Sequence, residues 1–381
     1  MVLLLQTYHH LAKLSILWLD RAVTENQTKK IFVGMSGGVD SSVSAALLKE
    51  QGFSVTGVFI RVWQPEGYPC TWREERRDAM RVCAQLDIPF LTLDLSDEYK
   101  EAVVDYLVSE YEAGRTPNPD VMCNREIKFK AFLNKALEMG ADMIATGHYA
   151  RVQKSDATGR FELLAGVDKG KDQSYFLWTL GQHELSHTLF PVGHLEKSEV
   201  RKLAEKFGLP VAEKKDSQGI CFLGKIDIKD FLLDYFPSEP GEVVDEKGEA
   251  IGTHRGARFY TLGERHGFDI LQTTAHSTPM YIVGRDLEKN RLIVSPKKSE
   301  EEKKQGIALH EVNIIGGELP SDQSALQARV RYRQPLSLCQ AEVSKDGIEV
   351  RFQSTPDSPP TAGQSLVFYE GEICLGGGII V

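Results

Sequence analysis

Short apolar runs alternate with longer helix-forming runs through the first part of the chain. Lys30-Ile-Phe-Val-Gly34 is apolar and β-branched, which predicts a buried parallel strand. Val43-Ser-Ala-Ala-Leu-Leu-Lys-Glu50 is rich in good helix formers and stops at Gly52. The same reading predicts strands over Ser54–Ile60 and Phe90–Leu95, helices over Glu74–Leu86 and Ile127–Lys135, and a further buried strand from Ala141 running into a glycine turn at Gly147. Strands that alternate with helices predict an α/β fold with a doubly wound parallel sheet. Ligands of such sheets bind beyond the carboxyl ends of the strands. The loop at Ser36, the end of the strand at Ile60 and the turn Thr146-Gly147-His148 are therefore expected to line one crevice.

From about Gly241 the pattern changes to short β-like runs punctuated by glycine: Glu242-Val-Val244, Gly256–Thr261 and Met280–Val283. Further on, Ala328–Arg333, Gly347–Phe352 and Gln364–Tyr369 alternate apolar and polar residues, as half-buried antiparallel strands do. The expected organisation is an N-terminal extension (1–29), an α/β unit (30–225), a small β-rich central unit (226–300) and a C-terminal β-barrel (301–381). No internal repeat is seen.

Composition narrows the class. A chain of 381 residues exceeds one core and is expected to divide, and 41% hydrophobic residues are ample for burial. A formal net charge of -9 argues against nonspecific coating of nucleic acid, while leaving room for local basic faces. Six irregularly spaced cysteines point to free thiols in a reducing cytosol, and none has the C-x-x-C spacing of a zinc or iron-sulfur site. Within Met1–Lys30, the runs Val2–Leu5 and Leu14–Leu19 fall short of the roughly 20 apolar residues that span a bilayer, and the segment lacks the features of a signal peptide. The expectation is a cytoplasmic protein with no membrane association, its first residues a start-site extension or a short docking helix.

The chemistry gathers first at Gly34-Met35-Ser36-Gly37-Gly38-Val39-Asp40-Ser41-Ser42, between the first strand and its helix. Gly37 and Gly38 let backbone approach phosphate oxygens, the first helical turn favours an anion, and three serines add hydroxyls. No lysine follows the glycines, so this is not the loop that grips a γ-phosphate through G-K-[ST]. Two cysteines stand in polar settings. Cys123 follows Gly114-Arg-Thr-Pro-Asn-Pro-Asp120, whose prolines preset an extended loop, and it precedes a helix with Arg125 and Lys128 nearby. Such a field lowers a thiol pKa, and the loop disfavours burial in a core. Cys221 lies in Lys214-Lys-Asp-Ser-Gln-Gly-Ile-Cys-Phe-Leu-Gly224. Cys83, Cys339 and Cys374, in amphipathic or β-like runs, read as buried apolar residues.

The loop resembles the S-G-G-x-D-S pyrophosphatase loop (PP-loop) of enzymes that split ATP between its α and β phosphates and adenylate a substrate. Taken with the loop, Gly114–Asp120, Cys123-Asn-Arg-Glu-Ile-Lys-Phe-Lys130, Ala145-Thr-Gly-His-Tyr149, Lys171-Asp-Gln-Ser-Tyr-Phe176, Asp216-Ser-Gln-Gly-Ile-Cys221 and Gly376–Ile380 resemble the bacterial-type tRNA-specific 2-thiouridylase (MnmA/TrmU) family. The likeness covers nearly all of the chain after Lys30. Gln218 departs from a frequent Thr, and residues 1–29 have no family counterpart.

The resemblance implies ATP-dependent thiolation at C2 of the wobble uridine (U34) in tRNAs for Lys, Glu and Gln. It implies an ATP site at Gly34, Met35, Ser36, Gly37, Gly38, Val39, Asp40, Ser41, Ile60 and Gly147, with Asp40 helping to position Mg2+. By the same resemblance Cys221 carries sulfur as a persulfide received from a relay protein or cysteine desulfurase, Cys123 is the catalytic nucleophile, and Asp120 is a candidate acid or base. Cys123 then either attacks the persulfide, leaving a Cys123–Cys221 disulfide, or acts in acid-base fashion while hydrogen sulfide is released. Asn118, Pro119, Asp120, His148, Lys171, Asp172, Gln173, Arg331, Tyr332 and Gln364 match family positions that contact the tRNA anticodon loop or the target base, and the expected form is a monomer.

Local charge is expected to hold the RNA: Arg73, Arg76, Arg77 and Arg81 on one helix face, Lys197, Arg201, Lys202 and Lys206 on another, and Arg329, Arg331 and Arg333 on one side of a strand. Two rival readings use fewer of these features. Another PP-loop adenylating enzyme would not need the two cysteines, and a noncatalytic tRNA-binding or sulfur-carrier protein would not need the phosphate loop.

Overall fold

The computed structural model describes residues 29–68, 72–215, 228–271, 279–296, 306–344, 347–354 and 356–381. Its first unit is built on strands β1 (Lys30–Gly34), β2 (Ser54–Arg61), β3 (Phe90–Asp94) and β4 (Met143–Ala145), with a hairpin β5 (Ala150–Lys154) and β6 (Phe161–Ala165) before β7 (Thr188–Leu189). Five of these form a parallel sheet in the order β3-β2-β1-β4-β7. Helices α1 (Val39–Glu50) and α2 (Trp72–Gln85) follow β1 and β2. Alternate side chains of β1 serve opposite faces, as a strand's period of two requires. Ile31 and Val33 pack with Val43 and Leu47 of α1 and Val82 of α2. Phe32 packs on the other side with Tyr99, Val103, Phe129 and Phe132. Cover on both faces explains why β1 is apolar and buried from Ile31 to Val33 and why α1 is buried from Val43 to Leu48.

The predicted helix over Ile127–Lys135 is the middle of a longer helical stretch: α3 (Pro119–Met122), a π-helical segment Cys123–Ala131, and α4 (Phe132–Glu138). Such wide turns are rare and are frequent at functional sites. The central unit is a five-stranded sheet of β8 (Gly241–Val244), β9 (Ala250–His254), β10 (Asp269–Ile270), β11 (Tyr281–Asp286) and β12 (Arg291–Ser295), ordered β10-β9-β8-β12-β11. The β-like run expected over Gly256–Thr261 is instead a 3-10 turn at Ala257–Phe259, opened by Gly256 at φ 136°.

The C-terminal unit is a closed barrel of β13 (Ile307–Ile314), β14 (Leu326–Arg329), β15 (Ser337–Ser344), β16 (Gly347–Phe352), β17 (Ser365–Glu370) and β18 (Ile373–Ile380). Its order β13-β16-β15-β14-β17-β18 closes where Leu309 pairs with Ile380. The interior holds Leu326, Ala328, Cys339, Val350, Leu366 and Phe368. The α/β fold followed by two β-rich units is therefore as expected. The strand expected over Ala328–Arg333 ends at Arg329, and Arg333 sits at φ 62° in the following turn. Arg329, Arg331 and Arg333 thus do not share one side of a strand.

The barrel is stitched to the α/β unit. Hairpin strand β6 pairs with β18, Leu164 opposite Ile373 and Leu163 opposite Cys374. Tyr175 donates its hydroxyl to the Ser365 carbonyl (2.8 Å), and Trp178 Nε1 donates to Ser365 Oγ (3.0 Å). Between them Arg329 Nη2 meets Asp172 Oδ2 at 2.7 Å, with side chains only 9% and 6% exposed. Among the described residues no helix is long and apolar enough to cross a membrane.

Removing one partner of a buried pair strands the other charge, at a cost of about 3–5 kcal/mol. Asp172→Asn is expected to lower the urea midpoint sharply, whereas Asp172→Asn combined with Arg329→Met loses less than the single variant. Equal or additive losses in the two proteins would show that the pair is not the joint's main support.

Candidate nucleotide site and its cysteine

The sheet order reverses between β1 and β4, and there the chain leaves β1 for the glycine loop. Met35 N still donates to the Val58 carbonyl (2.8 Å), after which Gly37 turns at φ 71°. A Cβ at Gly37 would overlap the Glu75 carbonyl of α2, so the loop passes α2 at glycine distance. Gly38 caps α1 without a side chain, and the serines brace the turn instead. Ser42 Oγ donates to the Gly38 carbonyl at 2.7 Å, Ser41 Oγ to the same carbonyl at 3.2 Å, and Gly38 N donates to Ser36 Oγ at 3.3 Å. Ser41 and Ser42 are buried, and Ser36 is exposed.

Asp40, in the first turn of α1, is held by two residues not assigned to it from sequence. Lys197 Nζ lies 2.7 Å from Oδ1 and 2.9 Å from Oδ2, and Tyr149 donates its hydroxyl to Oδ1 at 2.8 Å. A second lysine, Lys214, donates to the Gly37 carbonyl (3.0 Å) and pairs with Asp78 (2.8 Å). Lys197 opens helix α5 (Lys197–Lys206), whose basic residues were expected to face RNA. Three of the four have partners within the protein. Lys197 is spent on Asp40, Arg201 on the carbonyls of Ala212 and Lys214, and Lys206 on Glu50. On α2, Arg76 donates to Thr92 Oγ1 and Arg73 lies over the Trp72 ring, whereas Arg81 is largely exposed.

The turn after β4 forms the second wall. A Cβ at Gly147 would stand 2.6 Å from Ser41 N and 2.8 Å from the Asp40 carbonyl carbon, so only glycine lets this turn abut the start of α1. Ile60, at the end of β2, is buried. His148 was expected to meet substrate, but its ring is buried. Nδ1 lies 2.7 Å from Thr146 Oγ1, and the ring packs against Phe129 (5.6 Å) and Phe190 (6.0 Å). Burial, and to a lesser degree Lys128, hold its pKa well below the ordinary value, so the imidazole is neutral.

Phe129 belongs to the π-helical segment that Cys123 opens. Asn118 caps α3, its side-chain oxygen accepting from Asp120 N (3.2 Å) and Val121 N (3.3 Å), with Pro119 at the first helical position. The loop therefore ends before the cysteine, and Cys123 is 0% exposed in one core with Val121, Met122 and Ile127. This corrects the expectation that its loop keeps it out of a core. The positive field expected from Arg125 is also compensated, since its guanidinium pairs with Glu126 (2.8 Å) and with Glu311 of the barrel (2.9 Å). Asp120 and Lys171 are half-buried. Cys70 and Cys221 lie outside the described residues, and with Cys221 the proposed pairing to Cys123.

Several residues matched to RNA contacts also make internal bonds. Gln173 Oε1 accepts from Tyr149 N (2.9 Å), and Gln364 Nε2 donates to the Thr116 carbonyl (2.7 Å). Arg331 Nη2 donates to the Leu262 carbonyl (3.0 Å), joining barrel to central unit, and Asp172 is the buried partner of Arg329. Tyr332 packs against Phe176 with the rings tilted and their centroids 4.6 Å apart, and Arg333 lies over the Tyr332 ring.

Three family models match the chain in succession. A family model described as the tRNA methyl transferase HUP domain matches residues 29–225. The tRNA methyl transferase PRC-barrel domain matches 229–296, and the aminomethyltransferase beta-barrel domain matches 304–380. A protein named tRNA-specific 2-thiouridylase MnmA from Pseudomonas syringae pv. syringae is 48% identical over 371 residues, 95% of this chain and 96% of the relative. One of the same name from Halalkalibacterium halodurans is 48% identical over 359 residues, 92% of this chain and 94% of the relative. The chain belongs to the tRNA-specific 2-thiouridylase family. Family membership extends over the α/β unit, the central unit and the barrel alike.

Two outcomes are expected. Cys123, fully covered, is alkylated by iodoacetamide far more slowly in the native protein than in urea, as read by peptide mass spectrometry. Equal rates would contradict the burial. Stability falls on acidification because buried neutral histidines must take up protons. His194, in the turn after β7, is pushed down to about 4 by burial and Arg151. Its folded pKa lies below the unfolded value, so its contribution is present above about pH 6.5 and is lost as pH falls toward 4. From His194 alone the loss between pH 7 and pH 5 is about 2 kcal/mol, measurable as a shift in urea midpoint that His194→Gln reduces.

Proposed function

We propose that this protein is an ATP-dependent tRNA-uridine 2-sulfurtransferase that converts the wobble uridine, U34, to 2-thiouridine. The observation that carries the reading is one shared wall. The Thr146–His148 turn abuts the phosphate loop through Gly147 and the segment opened by Cys123 through His148 and Phe129. ATP-splitting and sulfur-handling groups are thereby attached to the same strand end.

The uracil C2 oxygen is a poor leaving group. Attack of that oxygen on the α-phosphorus of ATP expels pyrophosphate and leaves an O-adenylyl uridine. Gly37, Gly38 and the first turn of α1 bind the departing phosphates with backbone N–H groups, with Ser36 exposed beside them. A persulfide on Cys221, charged by a sulfur-donating protein, attacks C2 and expels AMP. The Cys123 thiolate then attacks the Cys221 sulfur. The electron pair of the broken S–S bond stays on the sulfur at C2, giving 2-thiouridine and a Cys123–Cys221 disulfide, which an external thiol reduces. Burial of Cys123 fits a thiol shielded until substrate and carrier are in place. Asp120, one turn before Cys123, is the acid or base beside the base. Asn118, Lys171 and Tyr332 are surfaces for the anticodon loop. We assign the protein to the cytoplasm, as a monomer, with the residue 30–225 unit carrying ATP and the residue 301–381 barrel carrying RNA.

Magnesium suits this site in one way. Among the described residues no group of three acidic, histidine or cysteine side chains could hold a metal by itself. Asp40 with the Ser36 hydroxyl is a sparse oxygen set, of the kind that binds a magnesium ion brought by phosphates. Bound there, the ion would neutralise charge on the departing pyrophosphate.

The test uses an unmodified tRNA-Glu transcript with Mg-ATP, supplied with sulfur either by a cysteine desulfurase relay or as free sulfide. Wild type is expected to release pyrophosphate only with tRNA and to form 2-thiouridine with either source. Cys123→Ser and Cys221→Ser are expected to fail with relay-supplied sulfur yet work on free sulfide, and Asp40→Ala to fail with both. Pyrophosphate release independent of tRNA, or full relay activity in Cys123→Ser, would sink the reading.

A further inference from the structure

Lys197 stands out because its sequence setting suggested only a basic helix face, whereas the fold puts its ammonium on the carboxylate of the phosphate loop. Its ammonium sits within 2.9 Å of both oxygens of Asp40, the one carboxylate of the phosphate loop, and its side chain is only 15% exposed. Tyr149 takes a further position on Oδ1. A carboxylate has about four acceptor sites, so Asp40 has little capacity left while Lys197 holds it. A divalent cation bound by Asp40 would lie about 2.1 Å from an oxygen, in the space beside the ammonium, and two cations on one carboxylate repel strongly.

Two lysines serve the loop in different ways. Lys214 is tied to the loop's own backbone through the Gly37 carbonyl and has a second carboxylate, Asp78. Lys197 also holds α5 through its backbone, its N–H donating to Asp168 Oδ2 at 3.0 Å, so the start of α5 has a support separate from the ammonium. The ammonium lies 5.8 Å from the centre of the Tyr149 ring, beside the loop where phosphate oxygens are bound.

We propose that Lys197 is an exchangeable counter-ion of the phosphate loop. It neutralises Asp40 when nucleotide is absent, and it transfers to the β- and γ-phosphates when Asp40 takes up the divalent cation that accompanies ATP. Bare metal is thereby disfavoured, and metal with polyphosphate is accepted as a unit. This rests on the ATP reading above.

The exchange demands effects of opposite sign. In Lys197→Met, which keeps the apolar stem, nucleotide-free Mn2+ binding followed by electron paramagnetic resonance is expected to strengthen about tenfold. Affinity for inorganic pyrophosphate with Mn2+, measured by calorimetry, is expected to weaken about tenfold to a hundredfold, the worth of a charged hydrogen bond. Lys197→Arg keeps the charge and restores wild-type Mn2+ binding. In the wild-type protein, acylation of Lys197 quantified by mass spectrometry is expected to rise with Mn2+ alone and fall with Mn2+ and pyrophosphate, which tests the idea even if a variant misfolds. A merely structural salt bridge predicts that both affinities fall together, or that labelling ignores the metal, and either result overturns the exchange. Failure of the wild-type protein to bind ATP would instead overturn the underlying reading.

Discussion

The site depends on a close approach that only a missing side chain permits. At the point where the parallel sheet reverses its order, the Thr146–His148 turn lies so near the start of α1 that a Cβ at Gly147 would collide with the backbone of Asp40 and Ser41. That contact locks the mouth of the crevice between β1 and β4. It also places Tyr149, two residues on, where its hydroxyl reaches Asp40. On the other side His148, buried and neutral, packs on Phe129 and so seats the segment that Cys123 opens. Backbone proximity at one glycine thus aligns a phosphate loop, its charge partners and a thiol.

The same economy governs the joint with the barrel. The Lys171–Gln173 segment has two duties. Asp172 closes a buried ion pair with Arg329, and Gln173 holds Tyr149 through both its side chain and its backbone. From Arg329 in the barrel to Asp40 in the phosphate loop, each adjoining step is a hydrogen bond or a peptide link. Gln364 and Arg331 likewise serve as ties, to the Thr116 carbonyl and to the central unit. Both residues are thereby fixed from beneath by bonds within the protein.

Charge is compensated almost wherever the site needs it. Asp40 has Lys197, Lys214 has Asp78, and Arg125 has Glu126 and Glu311. An acidic protein with so many satisfied cations cannot rely on a broad positive field to capture RNA. Shape and a few half-buried groups near the strand ends must do more of that work.

Much of this was legible in the residue pattern. The strands at Lys30 and Ser54, the glycine loop and the closed β unit follow from local period and turn chemistry, because those depend on neighbours in sequence. Cys123 was legible as a special residue but not as a buried one, since burial depended on which face of a helix met the core. The run from Arg329 to Arg333 misled because alternation signals a strand only while the strand continues, and here a turn ends it. The partners of Asp40 were not legible at all. Lys197 and Tyr149 are far from it in the chain, and no periodicity records that α5 and the β4 turn converge on one carboxylate. The sequence by itself determined the elements and the types of chemistry they carry. Only the tertiary structure decided which charges meet, because a pairing energy depends on distance in space and not on separation along the chain.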